Sequence, residues 1–256
     1  MTAQATGAAL VTGAAHRIGR AIARDLAAAG WAVAVHYLES EDGARDCVEE
    51  IERAGGRAVA LRADLTHEED VAGLARRVVA ALGPLTCLVN NAALFEADSI
   101  ATATRASWDA HMETNLRAPL VLTQALATGL PEGANGNVIN IIDQRVWNLT
   151  QHFLSYTVAK SGLWTLTRTL ALALAPHVRV NAIGPGPTLP SRRQTEAQFE
   201  RQRAATPLGR GATPEEICAA VRFILAAPAM TGQMIALDGG QHMGWAQAGP
   251  DTGPEE

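Results

Sequence analysis

The sequence predicts a single-domain α/β fold: a doubly wound parallel sheet of about seven strands with helices on both faces. Two observations carry this prediction. Short apolar runs alternate with longer segments of helical period along the chain, and no internal repeat is visible. The runs are apolar throughout, the pattern of strands covered on both sides. The 256 residues, 48% of them hydrophobic, suffice for such a core, although length by itself also allows two small domains.

Taken in order, "AALVTG" (8–13) reads as the first strand and "RIGRAIARDLAAAG" (17–30) as a helix stopped by Gly30. "AVAVHY" (32–37) is the second strand, and "EDGARDCVEEIERAGG" (41–56) is a helix closed by paired glycines. "AVALRADL" (58–65), a helix over 67–82 and "CLVNNA" (87–92) continue the alternation. One long helical stretch is expected over 104–130, then a strand at "NVINIID" (137–143), a helix near 153–175 and a strand at "VRVNAIGPG" (178–186). The segment 213–226 opens with Thr213 as N-cap, Pro214 at the first helical position and Glu216 closing a capping box. "MIALDGG" (234–240) is the last strand. Between two core elements lies 184–212, rich in Pro, Gly and Arg, which reads as a substrate loop or lid. The domain is expected to span 1–245, followed by a mobile tail over 246–256.

A net charge of −5 and a pI near 5.8 argue against nucleic-acid binding, which needs a basic patch. Arg192, Arg193, Arg201 and Arg203 cluster locally and read as solvated loop charge. Cys47, Cys87 and Cys218 match no metal or disulfide spacing, so free thiols in a reducing cytosol are expected. There is no charged leader before an apolar run and no span of the ~20 apolar residues a membrane helix needs. A soluble cytoplasmic protein without membrane contact is the expectation.

The turn "VTGAAHRIGRAIA" follows the first strand and opens the first helix, the setting of a dinucleotide fingerprint. Gly13 allows a tight turn and Gly19 close helix packing, while the helix N-terminus offers N–H groups to a pyrophosphate. An ordinary strand–helix turn is the plain alternative. Further on, "YTVAK" places Tyr156 and Lys160 four residues apart, on one helix face. Lys160 is the only lysine in the chain; arginine supplies the rest of the 21 basic residues. A position that rejects arginine calls for a compact ammonium. Such a charge lowers the pKa of a neighbouring phenol, ordinarily near 10, and so makes it a usable acid–base group. A routine surface Tyr–Lys pair is the bland reading.

With T-G-x-x-x-R-I-G, Y-x-x-x-K and the segments between them, the chain resembles the short-chain dehydrogenase/reductase family over about residues 8–245. Asp64-Leu65 matches the family's D-[VL] against adenine, "NNAA" (90–93) resembles N-N-A-G, and "NAIGPG" (181–186) matches the segment lining the nicotinamide. The resemblance implies a Rossmann-type fold. It implies cofactor contacts from Gly13, Arg17, Ile18, Gly19, His36, Tyr37, Ser40, Asp64, Leu65, Asn91, Ala92, Ala93, Tyr156, Lys160, Pro185 and Gly186. Lys160 would also bond the nicotinamide ribose, and Asn115, the family asparagine, would keep the lysine and a water chain in place.

Where relatives place a serine, this chain has Asp143, 13 residues before Tyr156, and no serine lies between 108 and 154. Asp143 also suits a turn cap. A carboxylate facing a ketone oxygen repels the developing alkoxide, whereas toward a ring nitrogen it supplies a proton, directly or through Tyr156. Within the family, Asp143–Tyr156–Lys160 looks like the pteridine and dihydromonapterin reductases. Arg17, "HYLES" (36–40) and the aromatic Phe95 agree. Phe95 and the nicotinamide would sandwich a flat pterin, unless the ring is plain core.

Glu39 stands where several pteridine reductases carry a phosphate-binding arginine, and Ala93 where some carry serine. With Arg17, His36 and Ser40 able to accommodate a phosphate, NADPH is the expected cofactor and NADH remains possible. The expected reaction is hydride transfer to a dihydropterin C=N bond, with Arg17, Phe95, Asp143 and Tyr156 on the substrate. A carbonyl reductase or alcohol dehydrogenase acting on a ketone or 3-oxoacyl substrate is the enzyme alternative, and a non-catalytic nucleotide-binding regulator the non-enzyme one. Resemblance also implies a homotetramer joined through the helices at 104–130 and 153–175.

Overall fold

The computed structural model describes residues 7–244 as a seven-stranded sheet in the order β3-β2-β1-β4-β5-β6-β7, every neighbouring pair parallel. The strands are β1 Ala8–Val11, β2 Ala32–Tyr37, β3 Arg57–Arg62, β4 Leu85–Asn90, β5 Gly136–Ile141, β6 Val178–Pro185 and β7 Met234–Leu237. Side chains alternate across them. Leu10 and Leu88 enter one core with Leu74, Val78, Leu122 and Leu126, whereas Val11, Cys87 and Val89 enter the other with Ile22, Leu26, Ile51, Ile217 and Val221. Each such fully buried aliphatic side chain stabilises the fold by about 1.5–3 kcal/mol. The second of these layers is built by α1 (Arg17–Ala28), α2 (Glu41–Arg53) and α8 (Pro214–Ala226). The opposite face carries α3 (Glu68–Leu82), α5 (Ala118–Gly129) and α6 (Leu154–Ala173).

Two expectations need correction. The stretch 104–130 is not one helix: α4 (Arg105–Met112) passes into a π-helical turn, Glu113–Arg117, before α5 begins. Pro119 explains the break. It lacks the N–H that would bond the carbonyl four residues back, at Asn115, so the helix widens there. The segment 184–212 is not all loop either, since it folds α7 (Glu196–Ala204) behind a Thr195/Gln198 capping box. Only Phe199 of α7 is buried, so the helix carries no apolar stripe to reveal it. The Thr213/Glu216 capping box of α8 forms as expected. Strand ends are shorter than expected: β1 stops at Val11, β4 at Asn90 and β7 at Leu237, which frees the next residues to turn.

All three cysteines are buried and unpaired. Among the described residues no helix is long and apolar enough to cross a membrane. The expected tail, 246–256, lies outside the described residues.

Candidate active site

The strand order reverses between β1 and β4, and in open parallel sheets the crevice beyond the carboxyl ends of those strands is where ligands bind. A cleft of about 800 Å³ opens there. Its floor is the glycine turn. Gly13 has φ +62°, and a Cβ on it would sit 3.0 Å from Ala92 Cα; at Gly19 a Cβ would meet the Gly13 carbonyl oxygen at 2.3 Å. Thr12, which sequence reasoning missed, locks this turn to β4: its hydroxyl accepts from the N–H groups of Asn91 and Ala92 at 2.9 and 3.0 Å. Asn91 completes the brace by donating from Nδ2 to the carbonyls of Thr12 and Gly13.

His36 lines the cleft as well, and its ring is already engaged by the protein. It is 2% exposed, its Nδ1 accepts from the Gly13 N–H at 3.0 Å, and Nε2 donates to the Ala63 carbonyl at 3.1 Å. Burial pushes its pKa down from 6.5 to about 4, so the ring is neutral and has no nitrogen left for a phosphate. Ser40 begins α2 without a side-chain cap and lines the cleft. Tyr37, Asp64, Leu65, Ala92, Ala93, Ile18, Pro185 and Gly186 line the same cleft. The Asp64 carboxylate is held by the Thr66 hydroxyl and N–H, at 2.7 and 2.9 Å, which lower its pKa.

At the other end of the cleft, Tyr156 and Lys160 leave α6 on one face. The Tyr156 hydroxyl donates to Asp143 Oδ2 at 2.9 Å. Asp143 Oδ1 accepts from the Arg145 N–H at 2.8 Å, so the aspartate both caps the turn Gln144–Val146 and reaches the tyrosine. Lys160 is 2% exposed and donates to the Ile141 carbonyl at 2.8 Å, with its ammonium 5.8 Å from the centre of the Tyr156 ring. Burial pushes its pKa down from 10.5 to about 8, against the pull of Asp143, and it stays charged at neutral pH. Asn115, in the π-helical turn, spends its amide on Leu94, accepting from N–H at 2.8 Å and donating to C=O at 2.9 Å. Its side chain thus fixes the loop after β4.

Phe95 stands in that loop. Its ring stacks on Phe153 at 4.4 Å and meets Tyr156 edge-on at 4.6 Å. Arg193 lies 5.2 Å over the Phe95 ring, ion-pairs with Glu96 at 2.6 Å and donates to the Phe95 carbonyl. Arg193 is thus an exposed loop charge, as expected, that also ties the 184–212 segment to the loop after β4. Arg17, at φ +55° where L residues are disfavoured, turns its guanidinium to the carbonyls of Pro190 and Leu189 at 2.8 and 3.1 Å. The glycine turn is therefore tied directly to the 184–212 segment.

A family model described as enoyl-(acyl carrier protein) reductase matches residues 13–242. The chain belongs to the short-chain dehydrogenase/reductase family. Among solved members, it superposes on the FolM alternative dihydrofolate reductase 1 of Brucella canis, complexed with NADP, with a TM-score of 0.92 and 47% identity, over 97% of this chain and 98% of that one. The Brucella suis FolM alternative dihydrofolate reductase 1, also in complex with NADP, gives a TM-score of 0.92 and 47% identity over 99% and 100%. A 3-oxoacyl-(acyl-carrier-protein) reductase of Synechocystis is 32% identical over 247 residues, 95% of this chain and 100% of its own length. The fold, the strand order and the oxidoreductase class are those of short-chain dehydrogenases/reductases.

Proposed function

We propose that this short-chain reductase is NADPH-dependent and reduces a C=N bond of a dihydropterin. The observation that carries the reading is the Asp143–Tyr156 hydrogen bond of 2.9 Å, with the buried ammonium of Lys160 beside it. The likeness to the two FolM alternative dihydrofolate reductases supports the substrate class and, through their bound NADP, the cofactor.

The glycine turn fits a dinucleotide, because Gly13 and Gly19, where a Cβ would strike neighbouring protein atoms, let the backbone pack tightly beside the cleft at the start of α1, whose N-terminus suits a pyrophosphate. Ser40, Tyr37, Asp64 and Leu65 would hold the adenosine end; Asn91, Ala92, Ala93, Pro185, Gly186, Tyr156 and Lys160 would hold the nicotinamide end. When bound, NADPH supplies the hydride. Tyr156 and Asp143 share a proton along their hydrogen bond and deliver it to the ring nitrogen next to the reduced carbon, and solvent refills the pair. Lys160 favours the phenolate left behind. Phe95 and Arg17 border the substrate end, and the segment carrying Arg193 covers it.

The decisive assay follows NADPH and NADH consumption with dihydromonapterin, dihydrobiopterin, dihydrofolate and a panel of ketones and 3-oxoacyl thioesters. Turnover of dihydropterins with NADPH preferred is the expected result. Turnover of 3-oxoacyl thioesters alone would establish the carbonyl reading, which the Synechocystis relative favours. Cofactor binding without turnover of any substrate would establish a regulator. Asp143→Ala is expected to lower dihydropterin turnover 10²-fold or more, the ordinary share of a general acid (about 10²–10⁴), with NADPH affinity unchanged. Unchanged turnover removes Asp143 from the mechanism.

A further inference from the structure

Directly behind Tyr156 lies a buried polar cluster that the reaction above does not use. Asp98, His111 and Ser155 are 6%, 0% and 0% exposed. Helix α6, which carries Tyr156 and Lys160, begins after Phe153 in a left-handed conformation, and no side chain of its own caps it. Asp98 caps it from 57 residues away: Oδ1 accepts from the Ser155 N–H at 3.0 Å and Oδ2 from the Ser155 hydroxyl at 2.5 Å. The Leu154 N–H donates to the Asp98 carbonyl at 3.3 Å. A carboxylate is the group a helix N-terminus favours, since it meets an orphan N–H, here that of Ser155, and the positive end of the helix dipole.

The cluster has a defined direction. His111 Nε2 accepts from the Glu96 N–H at 3.2 Å, so the hydrogen of the neutral ring sits on Nδ1. Nδ1 lies 2.9 Å from the Ser107 carbonyl and 2.7 Å from the Ser155 hydroxyl. The Nδ1 hydrogen is therefore shared between the Ser107 carbonyl and the Ser155 hydroxyl, while Ser155 donates to Asp98, which also accepts from the Ser107 hydroxyl at 3.4 Å. His111 also stands edge-on to the Tyr156 ring at 6.2 Å, and Phe95 makes a second edge contact with that ring. Three elements converge on the residue before the tyrosine: the loop after β4, α4 and α6.

We propose that Asp98, Ser155 and His111 are positioning residues that set the register of the first turn of α6 and thereby the aim of the Tyr156 hydroxyl at Asp143. The site gains its alignment from this buried relay, because an uncapped helix start frays first and would carry Tyr156 with it.

The test uses Ser155→Ala, the smallest lesion, and Asp98→Asn, in the full chain and also combined with Tyr156→Phe. Turnover is read with dihydrobiopterin, or with a 3-oxoacyl thioester if that is what the wild type reduces, so failure of the pterin assignment leaves this test intact. Amide hydrogen exchange gives a readout independent of turnover. Expected results are at least a tenfold fall in kcat, NADPH affinity within twofold of wild type, and no further loss in the Tyr156→Phe background, because residues acting through one group are non-additive. Exchange at 154–157 should quicken tenfold or more while the amides of β4 and β5 keep their protection. The proposal is overturned if kcat is unchanged, if the loss persists undiminished without the tyrosine hydroxyl, or if exchange quickens across the whole sheet. Should Asp98→Asn fail to fold, Ser155→Ala decides by the same criteria.

Discussion

At Lys160 two opposing effects act on one ammonium. Burial drives its pKa down to about 8 and the nearby Asp143 carboxylate pulls it up, so the charge survives at neutral pH with little to spare. Because the folded lysine releases its proton near 8, kcat/KM should fall as pH rises through that value, and a pH–rate profile of the free enzyme checks this. Lys160→Arg should remain charged yet lose roughly 10²-fold in kcat, since a planar guanidinium cannot reach both the Ile141 carbonyl and the tyrosine side. His36 provides a second titration with the opposite location. Its folded pKa is depressed to about 4 from 6.5, so the unfolded chain binds the extra proton in that window and stability falls as pH drops through it. Between pH 7 and 5 the loss should be about 2 kcal/mol by denaturant titration, and His36→Asn should flatten the slope. The sequence made Tyr156, Lys160 and Asp143 legible because their spacing is local or nearly so. It could not show that His36 is neutral and committed to Gly13, because that depends on a strand crossing 23 residues away.

Among the elements, the glycine turn and the 184–212 segment behave as one unit. Arg17 occupies a left-handed position that glycine would fill without strain, and its two hydrogen bonds to Leu189 and Pro190 are what that strain holds in place. Arg17→Gly should leave melting unchanged or slightly raised while KM for the second substrate rises severalfold, measured by steady-state kinetics. An unchanged KM would detach the segment from substrate binding. In the same layer as α1, Thr213→Ala should cost about 1 kcal/mol by loss of the α8 cap and leave turnover alone. Capping boxes with an apolar stripe behind them, as in α8, can be read from sequence. Helix α7 has the box but no stripe, and the π-helical turn depends on a missing N–H rather than on any pattern of side chains. Those two elements bear Asn115 and Gln202, the latter lining the cleft, so what was hidden lies close to the candidate site.

For the molecule as a whole, the parallel sheet was readable from alternation throughout, whereas the strand order that places the cleft between β1 and β4 came only from the structure. Assembly is a separate matter. On α6, Val158 and Leu172 are exposed, Leu172 at 84%, about four turns apart on nearly the same side, with Trp108 of α4 also exposed. The proposed homotetramer would cover them. Sedimentation at micromolar concentration should then give four copies, and Leu172→Glu should yield smaller, folded species; a monomeric wild type ends the proposal.

The chain's lone lysine has one more consequence. Every other basic side chain is arginine or histidine, and the single ε-amine is sealed beneath the nucleotide cleft. An amine-reactive label has therefore one internal address. Its rate of attachment there is a stopwatch for the opening of the site, and whatever slows it has closed the door.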